Sequence, residues 1–218
     1  MKREIWKHPL FKQILLYVLG LLVMTFGIAL SAKAGLGVAP VSTIAFAGSR
    51  LLPLTFGQCS SLFHGLCFLA QLAMSRRMTV MIALQVPAVY VFGALIDFFS
   101  SLLRISPPGL ALGVPIILVS ILIFSLGIRI ILGSGLVLPP PDSLVRLIAE
   151  KVGWPISKGK LVFDVIVVTS SALITLAFLG NAFVAVGIGT VIATLMTGPA
   201  MGFYQKAFPF FDVAPKEG

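Results

Sequence analysis

The chain has 218 residues and 23.2 kDa, 58% hydrophobic and 11% charged, with a mean hydropathy of +1.09. Apolar content this far above the globular average, with charge under half of it, excludes a soluble domain. Sixteen Lys and Arg against seven Asp and Glu give a formal +9. These cations lie between apolar runs instead of forming a stripe with interleaved aromatics, which excludes a nucleic-acid surface.

In chain order, apolar runs long enough to cross about 30 Å of hydrocarbon occupy 13–32, 57–74, 78–96, 110–131, 161–179 and 183–203. The expectation is an all-α membrane protein with six transmembrane helices, a single integral membrane domain over residues 1–218. The first run follows a basic start (Lys2, Arg3, Lys7, Lys12) and ends near Ala32-Lys33-Ala34, the outline of a cleaved secretory signal. Its apolar stretch is too long for one, and it reads as a retained helix.

Cysteines 59 and 67 share the second run. At 1.5 Å per residue they sit about 12 Å apart along a helix, too far to bridge, and read as free packing thiols. His64, Gln58, Gln71 and Gln85 read as helix–helix hydrogen-bond partners.

Orientation follows from the loop cations. With the N-terminus inside, the cytoplasmic side collects Lys2, Arg3, Lys7, Lys12, Arg76, Arg77, Arg146, Lys151, Lys158, Lys160, Lys206 and Lys216. The other side collects Lys33, Arg50 and Arg104. Both termini are expected in the cytoplasm of a bacterium, the chain being a multi-pass protein of its inner membrane.

A shift of 100 residues, without gaps, lays Gly27-Ile28 on Gly127-Ile128, Gly35-Leu36 on Gly135-Leu136 and Pro40 on Pro140. Small insertions then bring Gly57-Gln58 onto Gly159-Lys160 and Gly93 onto Gly198. Each half has three spans, an odd number, so the halves (about 13–100 and 113–205) must be inverted repeats. Each also contains a Gly/Pro break, AGLGVAPVST at 34–43 and SGLVLPPPDS at 134–143, leading into a short helix that cannot span. Ser42 and Asp142 stand at N-cap positions. The second short helix, 142–153, has Arg146, Glu150 and Lys151 on one face, so it can be interfacial or re-entrant.

At these residues the chain resembles the YczE/YyaS/YitT-type bacterial integral membrane proteins. The carriers are Ala34-Gly35-Leu36-Gly37 with Pro40, Pro141-Asp142, Gly159-Lys160 with Asp164, Gly93 with Asp97, and Gly187 to Thr190 with Gly198-Pro199. That pattern has a Trp-Asp pair after the first Pro and an Arg–Glu pair in the fifth span; here stand Val41-Ser42 and Lys160–Asp164. The resemblance implies six membrane helices and suggests transport without naming a substrate.

Paired breaks in matching places point to a transporter site, because freed backbone groups persist at membrane depth only when buried or lining a cavity. The candidate site residues are Lys33, Gly35, Gly37, Pro40, Ser42, Arg129, Gly135, Pro141, Asp142, Ser143 and Asp164. Helix-start dipoles with Lys33 and Arg129 favour an anionic or carboxylate-bearing solute. The bland account has Lys33 and Arg129 snorkelling to headgroups, Lys160–Asp164 as an i,i+4 pair at the interface, and Asp97 as a solvated helix end.

No HExxH, GxSxG or phosphate loop occurs, so neither an enzyme nor a bound metal or cofactor is expected. The expected function is a small-solute transporter or exporter. It is expected to act as a homodimer, since six short helices make a thin wall around a solute path. The alternatives are a substrate-binding membrane subunit that needs a separate energising partner, and a non-transporting scaffold or regulator.

Overall fold

The structure, a computed structural model, describes residues 10–106, 109–208 and 211; the cations Lys2, Arg3, Lys7 and Lys216 counted above lie outside them. The described residues form helices only: α1 Leu10–Ala34, α2 Thr43–Leu51, α3 Phe56–Ser75, α4 Val80–Ala83, α5 Gln85–Leu102, α6 Gly109–Ser134, α7 Pro140–Val152, α8 Ile156–Leu179 and α9 Ile188–Ala207. Four stretches are long and apolar enough to cross a membrane: α1, α6, α8 and the α4–α5 run Val80–Leu102. α3 and α9 have 20 residues each, which matches the length needed. Polar residues such as Gln58, His64 and Gln71 in α3, or Thr190, Gln205 and Lys206 in α9, dilute their hydropathy.

The centre of the fold is the crossing of α1 and α6. Gly20 lies against Ile131, Gly27 against Phe124, and Gly113 against Ala34 and Leu36, so the two helices run antiparallel. The crossing is reciprocal. A Cβ added to Gly27 would stand 2.6 Å from the Phe124 nitrogen, and one added to Gly127 would stand 2.5 Å from the Met24 Cα. Glycine is required at both places because backbone meets backbone, the packing by which membrane helices associate where lipid removes the hydrophobic drive. Thr25 and Ser125, at the same crossing, are both fully buried.

Each long helix ends on a left-handed glycine, Gly35 at φ 70° and Gly135 at φ 67°, the conformation that releases the last carbonyls from a helix at little cost. The chain then reverses through the proline segment. Pro40–Ser42 forms a 3-10 turn that leads into α2, and Pro140 occupies the first position of α7, where its missing N–H costs nothing. Both short helices pack between α3 and α8. α7 packs alongside α3 and α8, and at its far end the Met74 carbonyl accepts from Lys151 Nζ at 2.6 Å.

A spacing of one hundred residues also separates the next two long helices. α3 starts at Phe56 and α8 at Ile156; Cys67 and Val167 are buried, as are Gln71 and Ser171. Cys59 meets Gly48 of α2 as Gly159 meets Ala149 of α7. Phe63 of α3 and Phe163 of α8 face each other with ring centroids 6.4 Å apart.

Other boundaries also move. The third run extends to Leu102 instead of stopping at 96, because Asp97 is no solvated helix end. Its carboxylate accepts from Thr55 Oγ1 at 2.5 Å and from the Gly57 N–H at 2.8 Å, closing the N-terminus of α3. The sixth begins at Ile188 instead of 183, the residues before it being tied to the first break by Val38 N–H to the Ala185 carbonyl at 3.3 Å. Gln58 caps its own helix with Thr55 instead of joining helices.

Candidate functional site

The start of α7 places Asp142 opposite the first turns of α8. Lys160 Nζ stands 3.2 Å from Asp142 Oδ1 and 3.2 Å from Asp164 Oδ1. Asp142 is thus not the N-cap. That position falls to Pro139, because Pro140 and Pro141 start the helix two residues early, which frees the Asp142 carboxylate for Lys160. Two carboxylates share one ammonium, and the cluster carries a formal −1. The side chains are 33%, 36% and 15% exposed for Asp142, Lys160 and Asp164.

Next to this cluster, Gln85 Nε2 donates to Ser143 Oγ at 3.1 Å and to the Leu138 carbonyl at 3.3 Å. It thereby satisfies backbone that the second break frees. His64 lies buried beneath, its ring stacked on Phe92 at 4.5 Å. Sequence reasoning paired Lys160 with Asp164 but missed its bond to Asp142, which no spacing in the chain signals.

The first break is satisfied differently. Gly189 N–H donates to the Leu36 carbonyl at 2.7 Å. Gly37, at φ 93°, leaves no room for a Cβ, which would stand 2.6 Å from the Gly187 nitrogen. Beside it opens a cavity of about 270 Å³ lined by Ala32, Gly35, Gly37, Val38, Phe46, Arg50 and Val184. The guanidinium of Arg50 sits 4.8 Å from the Phe46 ring centroid, a cation–π contact within one turn of α2. Arg50 was counted only as an outer-loop charge, yet it is the charged side chain that lines this cavity.

The candidate residues therefore divide. Asp142 and Asp164 meet at Lys160, and Ser143 adjoins them through Gln85. Gly35 and Gly37 line the Arg50 cavity, while Pro40 and Ser42 lead into α2, which packs on α8. Ser42 caps α2 by position without a side-chain bond; the neighbouring Thr43 Oγ1 donates to the Pro40 carbonyl at 2.8 Å. Lys33 stands partly exposed in the last turn of α1. Arg129 is 5% exposed, near Gly133, where the Phe211 carbonyl approaches α6. Gly135 and Pro141 shape the second break. Because α1 and α6 are antiparallel, Gly35 and Gly135 lie at opposite ends of that pair. Among the described residues no His, Cys, Asp and Glu cluster has metal-binding geometry.

A family model described as a family of unknown function (DUF6198) matches residues 11–206. The "Uncharacterized membrane protein YczE" of Bacillus subtilis (strain 168) is 28% identical over 199 residues, covering 86% of this chain and 82% of that protein. No solved structure matches.

Proposed function

The chain belongs to the DUF6198 family, a YczE-type family of membrane proteins, and from that premise we propose that it is a small secondary transporter for an anionic or carboxylate-bearing solute. In this reading α3 and α9 also cross the bilayer, making six spans in two inverted halves with both termini in the cytoplasm. The reciprocal contacts of Gly27 and Gly127, the left-handed pair Gly35 and Gly135, and the matching seats of α2 and α7 between α3 and α8 support the inversion. Two short helices that both pack on α3 and α8 fit a solute path at the repeat interface.

The observation that carries the reading is the Arg50 cavity at the first break. Its volume of about 270 Å³ suits a solute of modest size. Apolar Ala32, Val38, Phe46 and Val184 would take a carbon skeleton, while the Arg50 guanidinium would take a carboxylate.

The test is a thermal-shift screen of acetate, benzoate, succinate and inorganic phosphate on detergent-purified protein, followed by uptake of the stabilising anion into liposomes that hold this protein alone. Stabilisation by one class, lost in Arg50→Gln and kept in the exposed control Arg104→Gln, is the expected result. Stabilisation without uptake favours a binding subunit that relies on an energising partner. Stabilisation unaffected by Arg50→Gln places the solute elsewhere.

A further inference from the structure

The third span is seated differently in the two halves. In the first, α5 closes tightly on α3. A Cβ on Gly93 would stand 2.5 Å from the Gly57 carbonyl oxygen, Ser61 Oγ donates to the Val89 carbonyl at 3.1 Å, and His64 stacks on Phe92. The shift of 100 puts Ser157, Leu161 and Asp164 in the places of Gly57, Ser61 and His64. Matching burial aligns Gln85 with Gly189, Val89 with Ala193 and Ile96 with Ala200. On that register Met196 and Thr197 correspond to Phe92 and Gly93, in place of the Gly93–Gly198 match read from sequence. α9 keeps against α6 the packing that α5 has against α1. Its packing on α8, however, has no counterpart to the tight α3–α5 seam. Leu161 on α8 is 57% exposed, and Gly198 and Gly202 on α9 have no atom within 4 Å of where a Cβ would stand.

One half is thus shut along the seam that the other leaves open. The geometry points to α9 as a gate: it closes on α8, bringing Thr197 and Ala193 against Ser157 and Leu161 and covering Asp164, as α5 in the opposite half lets go of α3. This rests on the transporter reading, in which two halves of one architecture exchange seatings so that access alternates across the membrane. The open seam runs along the helix that carries Asp164, whose side chain is 15% exposed, and its partner Lys160, whereas Phe92 stacks on His64 at the matching place. The hold on the closed half is identifiable as well. Asp97 clamps α5 to Thr55 and Gly57, and the same register puts Met201 at its place in α9, so α9 has no such carboxylate.

The experiment is oxidative cross-linking of Ser157→Cys/Thr197→Cys in a Cys59→Ser/Cys67→Ala background, with the whole protein in phosphatidylethanolamine–phosphatidylglycerol vesicles. An intramolecular disulfide is expected. Its yield should rise when Asp97→Ala loosens the opposite seam, and most of it should be lost when Leu161→Trp wedges this one open. Since Leu161 is exposed, that variant is expected to fold. No disulfide in any background, a yield indifferent to Asp97→Ala, or a disulfide joining two molecules overturns the proposal. The readout needs no solute: cross-linking as expected without any anion uptake sinks the transporter reading alone, and uptake without cross-linking sinks the gate alone.

Discussion

Gly27 of α1 rests on the backbone of Phe124, and Gly127, one hundred residues after it, rests on the backbone of Met24. A side chain at either place must push two helices apart along the main seam of the fold. Overpacking of this kind costs about 1–3 kcal/mol. Gly27→Val and Gly127→Val are therefore expected to lower the detergent Tm by similar amounts, while Gly65→Ala, whose Cβ would meet nothing within 4 Å, leaves it unchanged or raises it. A large loss at one glycine and none at the other would show that the crossing is not reciprocal.

At the α7–α8 hairpin, Lys160 serves two carboxylates, so removing the ammonium should cost more than removing either acid. Lys160→Gln leaves Asp142 and Asp164 close together without a counterion. Asp142→Asn leaves Lys160 still paired with Asp164. Partial exposure places the Lys160→Gln loss between exposed and buried pairs, about 1–3 kcal/mol, with Asp142→Asn below it. Thermal unfolding of the two single variants orders them; equal losses would mean that the two contacts are not shared through Lys160.

The carboxylate of Asp97 ties the end of one helix to the start of another. Asp97→Ala removes an acceptor from both Thr55 Oγ1 and the Gly57 N–H, and lost capping bonds of this sort cost about 0.5–2 kcal/mol. Hydrogen exchange should speed up at residues 55–59, at the start of α3, more than in the middle of α1. Unchanged protection there would assign the hold on α3 to packing alone.

Six crossings with cytoplasmic termini make a discrete prediction for reporter fusions. A fusion at residue 181, in the turn after α8, should report the outside, and one at the C-terminus the inside. The same side for both would require that α9 does not cross.

Much of this fold could be read from the chain because apolar run length is a strong signal. The six runs are largely helical, the third as α4 and α5 and the sixth only from Ile188, and the aligned pairs Gly27 with Gly127 and Gly35 with Gly135 fall where close approach or positive φ demands glycine. Boundaries were less legible where tertiary partners set them. Leu102 ends α5 because Asp97 is engaged with α3, and Ile188 starts α9 because the preceding turn is pinned to Leu36 and Val38. Asp164 stood out in the sequence as a charge inside an apolar span and Asp142 as a helix cap; the structure moves the cap to Pro139 and brings both carboxylates to Lys160. Arg50 was not legible as a cavity residue, since its place there depends on the fold of α2 turning Phe46 and the guanidinium toward the first break. Nor could spacing reveal that Gln85, 53 residues before Leu138, would cover that residue's carbonyl.

The antiparallel pairing of α1 with α6 also bears on how the protein is made. The partner of α1 is synthesised one hundred residues after it, which at about 5–20 residues per second is a wait of roughly 5–20 s. Until α6 leaves the translocon, the glycine face of α1 at Gly20 and Gly27 is a groove open to lipid. The buried Gln13 stays without its final surroundings for the same interval. Insertion of the first helix and its packing are therefore separate events. Mutations at Gly127 should leave insertion intact and surface later, as a membrane-embedded chain that quality-control proteases clear.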